Sequence, residues 1–569
     1  MSNKNAVVYT LFNECQDCYK CVRRCPVKSI RIQEGHACVL SEKCIACGRC
    51  VAPCPSHAKR VRNDIEAVRR LIASGKDVYV SLAPSWRASF QCTSRQLIAT
   101  LKKLGFKGIS ETALGAQQVS IETARILNNT DKGLLISSAC PVIVKYIRLY
   151  KPELAEHIVP VASPALTHAK LLKDTCGSDI SVVFIGPCIA KKEEADTHKD
   201  LMDYALTFEE LKTWLKEGDI DIAEGDCLSE SFVPEYAHEG ALYPMDGGMC
   251  ETIKKIGIKD SVHLCPVCSL ESFNLAIESL AKDQLKNPVF VEALACLGGC
   301  MHGPCIATKM SDVNNISRIM RHLRNRDNIP QKANTVVCEK YTPAPVLEKT
   351  YTMDEIRKAL NKIGKYRPED ELNCAGCGYQ TCKDMAKALL NGNAEPSMCV
   401  SYMRKMATKK ANAMLKSIPS AMVMLDKQLN ILETNEAFVK MFVEEDKELY
   451  LANPQKLIGQ PIQLFFEAEK LFASVLNSGQ EIQKENYRFK NKCYELHVFS
   501  VEPTVSIGAV ITDMTNANHS REMVAKKAKE VIDKNISTVQ QIACLLGEHM
   551  VQTETILNTI ASEYNQGQE

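Results

Sequence analysis

The chain has 569 residues, room for about four domains at roughly 150 residues each. Its formal net charge is +2 with both signs evenly mixed, so no basic surface argues for nucleic-acid or membrane binding. The 27 cysteines are the outlier: they cluster at CxxC spacing, which favours metal ligation over the disulfide framework of a short secreted chain. No apolar run reaches the ~18–20 residues of a membrane span. The start, MSNKNAVVYTLFNEC, lacks a basic region followed by an apolar core, so no signal peptide is expected. A reducing cytoplasm and anaerobic chemistry are the expected setting.

Residues 1–65 form the first expected domain. Cys15, Cys18, Cys21 and Cys25-Pro26 give CxxCxxCxxxCP, and Cys44, Cys47, Cys50 and Cys54-Pro55 repeat it. This resembles the two-cluster pattern of bacterial ferredoxins, in which the fourth cysteine of each run ligates the other cluster. The resemblance implies one [4Fe–4S] cubane on Cys15, Cys18, Cys21 and Cys54, and a second on Cys44, Cys47, Cys50 and Cys25. CxxC pairs also bind zinc, but two consecutive runs ending in CP favour iron–sulfur. Cys38 lies outside the pattern and reads as a small buried residue.

Residues 75–345 alternate β-like runs (DVYVSLAP, GLLISSACP, VVFIGPCIA, NPVFVEALACL) with helical stretches such as 144–173, which predicts an α/β domain with mainly parallel strands. Cys140, Cys188 and the pair Cys296/Cys300 each follow a β-run, where α/β proteins gather their sites. A lone cysteine there is usually a buried apolar residue. Together, SSACP, GPCIAKKEE and EALACLGGC resemble the three signature motifs of [FeFe]-hydrogenases. The resemblance implies an H-cluster: a cubane on Cys140, Cys188, Cys296 and Cys300, joined through Cys300 to a di-iron unit with CO, CN and dithiolate ligands. Lys191 matches the family lysine that meets a cyanide; an ammonium there supplies charge-assisted donors. Its bland alternative is a solvated Lys191-Lys192-Glu193-Glu194 helix start. Ser163-Pro164, VSLAPSWR (80–87) and DYALTFEEL (203–211) also look like family segments.

Three departures surround the implied di-iron site. Ala139 replaces the cysteine that hands protons to the di-iron amine, and a methyl group cannot carry a proton. Gly186 stands where a methionine is usual, and MHGPC (301–305) replaces a glycine-rich stretch. The cluster is therefore expected to assemble but to turn over slowly, with His302 and Cys305 as candidate substitutes in the relay. Cys265-Pro-Val-Cys268 reads as a redox pair, a metal half-site or a structural feature. Cys250, in DGGMCE, occupies a segment resembling a pocket-lining loop.

Residues 350–410 carry Cys374, Cys377, Cys382 and Cys399, resembling a small four-cysteine [4Fe–4S] domain; zinc is again the alternative. Gly376 and Gly378 would let the backbone approach a cluster closely. Residues 411–517 look like a PAS domain: MLKSIPSAMVMLDKQLNILETNEAFVKMF opens it, and strands at 484–491, 493–502 and 506–514 complete a five-stranded sheet. Haem, flavin and no ligand remain open there. In 518–569, Ile532, Ile536, Val539, Ala543, Leu546, Met550, Leu557 and Ile560 alternate at four–three spacing, with Thr553 filling one place, which predicts a coiled-coil dimer helix or packing on its own domain.

The expected class is multidomain α/β and α+β: a two-cluster ferredoxin-like head, an α/β H-cluster domain, a small [4Fe–4S] domain, a PAS-like domain and a C-terminal helical coiled coil. The architecture resembles the PAS-bearing sensory group of [FeFe]-hydrogenases. It implies slow, reversible oxidation of H2 to protons and electrons, electron passage through the cubanes, and a signal to a downstream protein from a homodimer. The alternatives are an ordinary catalytic hydrogenase served by ferredoxin or another carrier, and an iron–sulfur electron-transfer scaffold without the di-iron unit.

Overall fold

The computed structural model describes residues 6–130, 133–222, 229–280, 287–306, 311–321, 323–324, 329–347, 349–515 and 521–565. Two compact units emerge, 1–395 and 396–569. The boundary falls inside the 350–410 segment expected to be one domain. Helices Met353–Lys362 and Cys382–Leu390 pack together in the first unit, whereas helix Val400–Ser417 belongs to the second.

The first unit opens with a cysteine-rich head held by two short antiparallel pairs. Strand Val8–Thr10 pairs with Lys59–Val61, and Ile30–Gln33 pairs with His36–Val39. Asp17, Tyr19 and Ala46, inside the cysteine runs, have positive φ, so the runs curl tightly.

The central domain is built on parallel strands, as the β–α alternation predicts. Strands Gly108–Glu111, Val78–Leu82, Ser181–Gly186 and Tyr204–Thr207 form one sheet in that order. Strands His263–Cys268, Val289–Leu294 and Leu134–Ile136 form a second. Inner strands Ser181–Gly186 and Val289–Leu294 are buried along their whole length, which explains their apolar runs. The stretch 144–173, expected to be helical, is instead helix Pro141–Tyr150, a 3-10 segment Pro152–His157 and helix Pro164–Cys176. Pro152, Pro160 and Pro164 cannot continue an α-helix, and each begins or separates a segment.

The second unit carries a five-stranded antiparallel sheet. Its order is Ile431–Thr434, Ala421–Asp426, Ser506–Asp513, Lys492–Glu502 and Ile482–Phe489, so the first and last strands in sequence lie side by side at the centre. One face packs on the core made by Phe438, Phe442, Phe466, Phe472 and Tyr494. Asn435 caps helix Glu436–Phe442 by accepting from Phe438 N at 3.0 Å. Its Oδ1 also accepts from Met422 N at 2.9 Å, which ties that helix to the sheet. Helix Arg521–Asn565 follows the last strand.

Candidate metal centre

The four signature cysteines lie just past the carboxyl ends of strands from both sheets. Cys140 is the N-cap of helix Pro141–Tyr150 and follows strand Leu134–Ile136. Cys188 follows Ser181–Gly186, and Cys296 follows Val289–Leu294. Cys300 begins a single 3-10 turn after Gly298 and Gly299, with φ of +75° and +88°. A Cβ on Gly299 would stand 2.3 Å from the Pro244 carbonyl oxygen, so only glycine lets this turn approach the opposite wall. All four cysteines, with Ala139 and Lys191, line one cavity of about 100 Å³.

Its electrostatics are those of a thiol cluster short of positive charge. Burial pushes the Cys188 thiol up to about 11, with Cys140 adding repulsion. Burial also raises Cys300, and then Cys140 and Cys188 raise it further. Cys296 is raised by burial and by Cys300, Cys188 and Cys140 in turn. Cys188, Cys296 and Cys300, whose ionisation burial and neighbouring thiols oppose, fit a cationic cluster, whose charge would stabilise them as thiolates.

Lys191 is buried, and its Nζ donates to Ser163 Oγ at 2.8 Å and to Glu194 Oε2. The solvated reading of this helix start therefore fails for both lysines. Lys192 is wholly buried and donates to Asp64 Oδ2, Glu210 Oε1 and the Ala205 carbonyl at 2.9, 2.8 and 2.8 Å. Ser85, singled out only as part of a family-like segment, also lines the cavity; it is buried and its hydroxyl has no partner. An orphaned donor facing a cavity is a marker that the sequence pattern alone does not give.

Around Ala139 the wall is apolar, with Met249, Cys250 and Tyr243 in the same packed cluster. Behind it lies Glu292, which accepts from Cys250 N at 2.8 Å and Met249 N at 3.2 Å. Burial holds its carboxyl above the usual range. The two substitutes expected for the missing thiol stand apart from the cavity wall. Cys305 is buried with its thiol hydrogen-bonded to Glu209, and His302 reaches Asp312 at 3.1 Å. Cys265 and Cys268 lie three residues apart on one strand, so their side chains leave opposite faces. Cys265 packs with the core shared by Val142 and Phe273, and Cys268 is hydrogen-bonded to Asp246. This arrangement is neither a redox pair nor a metal half-site.

The head adds a second thiol site. Cys25, Cys44, Cys47 and Cys50 line one narrow cavity, which is the crossed set implied by the ferredoxin-like runs. Burial holds Cys47 up at about 12 and raises Cys44 and Cys50. In the other run, Cys21 is raised to about 11 by burial, with Cys18 and Cys15 adding repulsion. Cys54 turns toward Ser56, Ala58 and Lys59, whose hydrogen bonds lower its thiol against the opposing effect of burial. The third cysteine group begins in the first unit. Gly376 accepts from the Arg23 guanidinium at 3.5 Å, and Cys377 and Cys25 both lie within electrostatic range of Lys28 and Tyr379. Cys399 is the N-cap of helix Val400–Ser417 in the second unit.

Comparison with known proteins bears on this geometry. Residues 76–304 match the family model described as the C-terminal domain of the iron-only hydrogenase large subunit. The central domain is [FeFe]-hydrogenase-like. Residues 8–55 match a 4Fe–4S dicluster domain, and residues 370–401 match a model for an Fe–S cluster segment. Iron hydrogenase 1 of Clostridium pasteurianum is 25% identical over 305 residues, 44% of this chain and 52% of that protein. The periplasmic [Fe] hydrogenase large subunit of Nitratidesulfovibrio vulgaris is 26% identical over 262 residues, 37% of this chain and 62% of that protein. The chain thus spans about half to three-fifths of the length of these relatives. A variant of the [FeFe]-hydrogenase HydA1 from Chlamydomonas reinhardtii superposes with a TM-score of 0.39 at 17% identity, covering 49% of this chain and 99% of that one. No helix among the described residues is long and apolar enough to cross a membrane.

Proposed function

We propose that the chain is a sensory [FeFe]-hydrogenase that binds H2 and oxidises it slowly and reversibly. The observation that carries the reading is the single cavity lined by Cys140, Cys188, Cys296, Cys300 and Lys191, with the Ala139 methyl in its wall. The four thiols would hold a cubane, and Cys300 would bridge it to a di-iron unit that supplies the hydrogen chemistry. Lys191 and Ser85 would donate hydrogen bonds to that unit's diatomic ligands. Ala139 leaves the proton route without its innermost carrier, and this supports low turnover rather than fast catalysis.

The other clusters serve the traffic of electrons. Cys25, Cys44, Cys47 and Cys50 would hold one cubane, Cys15, Cys18, Cys21 and Cys54 a second, and Cys374, Cys377, Cys382 and Cys399 a third. Ferredoxin or a similar carrier would exchange electrons with this set. Cys399 is followed at once by helix Val400–Ser417, and that helix packs through Leu415 on the PAS-like sheet at Met422 and Phe499. A change in cluster charge would shift this helix and so bias the PAS-like domain toward one of two states read by a downstream protein. Hydrogen exchange over 400–520 should differ under hydrogen and under oxidant, and identical protection would remove the coupling.

Anaerobic infrared spectroscopy after maturation with a di-iron unit tests the core of the reading. Bands of Fe-bound CO and CN that shift under hydrogen are expected. Full cubane content without such bands would leave only an electron-transfer scaffold.

A further inference from the structure

The second cysteine run of the head is pressed against the hydrogenase-like site. Gly48, at φ +74°, has no room for a side chain: a Cβ there would lie 2.6 Å from Ile189 Cδ1 and 2.7 Å from Pro304 Cβ. Ile189 directly follows Cys188, and Pro304 lines the four-cysteine cavity. Ile45 and Ala46 share a packed core with Ile143 and Ala295, and Cys47, Cys140 and Cys188 lie against it. Tyr150 fixes the start of the run by donating to the Lys43 carbonyl at 2.6 Å. The two thiol sites meet along this packed seam.

Arg49 brings a positive charge to the seam. It follows Gly48 and lines the head cavity of Cys25, Cys44, Cys47 and Cys50, but not the four-cysteine cavity of the central domain. It is held there bidentately by Glu271, with Nη2 to Oε2 at 2.9 Å and Nη1 on Oε1. Glu271 sits in the first turn of helix Leu270–Leu280, where the helix dipole favours a carboxylate. Its side chain is 64% exposed and that of Arg49 is 29% exposed, so the pair contributes little to folding. Its place between two thiol clusters asks for another role.

Resting on the ligand assignments above, we propose that Arg49, restrained by Glu271, sets the driving force for one-electron transfer between the head cubane on Cys25, Cys44, Cys47 and Cys50 and the cubane on Cys140, Cys188, Cys296 and Cys300. One electron moves across the Cys47–Cys296 seam and no bond forms or breaks. A fixed positive charge beside Cys47 stabilises the reduced, more negative head cubane more than it stabilises its neighbour. The carboxylate of Glu271 offsets part of that effect. Arg49 therefore makes the head cubane the preferred resting place of the electron, and the pair trims how strongly.

The test uses the full chain reconstituted anaerobically with iron and sulfide alone, its cubane potentials read by EPR-monitored redox titration. Arg49→Gln should lower one cubane potential by about a tenfold change in the reduction equilibrium, ~59 mV for a one-electron couple. Glu271→Gln should raise the same potential, and Arg49→Lys should leave it near its original value. A purely structural pair would broaden spectra or lower iron content in both variants without opposite signs. Unchanged potentials, or shifts of the same sign in both variants, overturn the role of Arg49. Failure of the parent chain to form cubanes in the head overturns the ligand assignments themselves, and this inference with them.

Discussion

Ala139 puts a methyl group in the wall of the cavity lined by Cys140, Cys188, Cys296, Cys300 and Lys191. Proton transfer by a placed side chain contributes ~10²–10⁴-fold in rate. Ala139→Cys should therefore raise hydrogen turnover of the matured protein at least about tenfold, measured by hydrogen uptake with an artificial electron acceptor. No gain would mean that protons travel by another route. Lys191 and Lys192 make the opposite lesson in neighbouring positions. The first reaches the cavity and the second is locked between Asp64 and Glu210. Removing one partner of a buried ion pair costs ~3–5 kcal/mol. Lys192→Met should lower the urea-unfolding midpoint the more, since it leaves Asp64 and Glu210 unpaired where Lys191→Met leaves Glu194 alone, and only Lys191→Met should abolish the CO and CN infrared bands. Equal loss of stability in both variants would refute the division of labour. The sequence made Lys191 legible through its distance from Cys188. Lys192 and Ser85 were not, because burial of a lysine head or an orphaned hydroxyl depends on partners 13 to 128 residues away or on none at all.

At the scale of elements, helix Pro164–Cys176 is bolted to the first sheet by one imidazole. His168 bridges Ser81 and Ser110 at 2.7 and 2.8 Å, fully buried. Burial holds its pKa down at about 3, against 6.5 in the unfolded chain. The unfolded state therefore binds the extra proton between those values, and folding stability falls as pH drops below about 6.5. The slope is about 1.4 kcal/mol per pH unit from this group alone. Unfolding measured between pH 7 and 5 should show it, and His168→Gln should flatten it; an unchanged slope would assign acid sensitivity to other groups. Strand ends were the most readable feature of this domain, because a cysteine just past an apolar run needs only local pattern to be noticed. The CxxC at 265–268 left a redox pair, a metal half-site and a structural role open for the same reason. On a strand, period two sends residues three apart to opposite faces, and only the pairing of His263–Cys268 with Val289–Leu294 shows that it is a strand.

The whole molecule turns on what covers helix Arg521–Asn565. Its 45 residues reach about 67 Å at ~1.5 Å per residue, whereas the 18-residue helix Val400–Ser417 offers only about 27 Å to lie along. Val539 packs with Leu415, Met422 and Phe499, so the first part of the four–three stripe is used within the chain. Between the two helices and the outer face of the sheet remains a cavity of about 460 Å³, lined in part by Met414, Leu415, Met422, Val539, Leu546 and Met550. Leu546 and Met550 remain 59% and 73% exposed at that cavity, Leu557 past it is 58% exposed, and Ile560 lies outside the side chains described. A small ligand could fill the cavity but could not cover a stripe that runs on past it. A second copy presents the same stripe in the same spacing, and twofold pairing closes both at once. The full chain should sediment as a dimer at micromolar concentration, and Leu546→Lys with Met550→Lys should make it a monomer without changing its iron content. A parent chain that sediments as a monomer would assign the stripe to its own domain, and a dimer that survives both lysines would place the contact elsewhere.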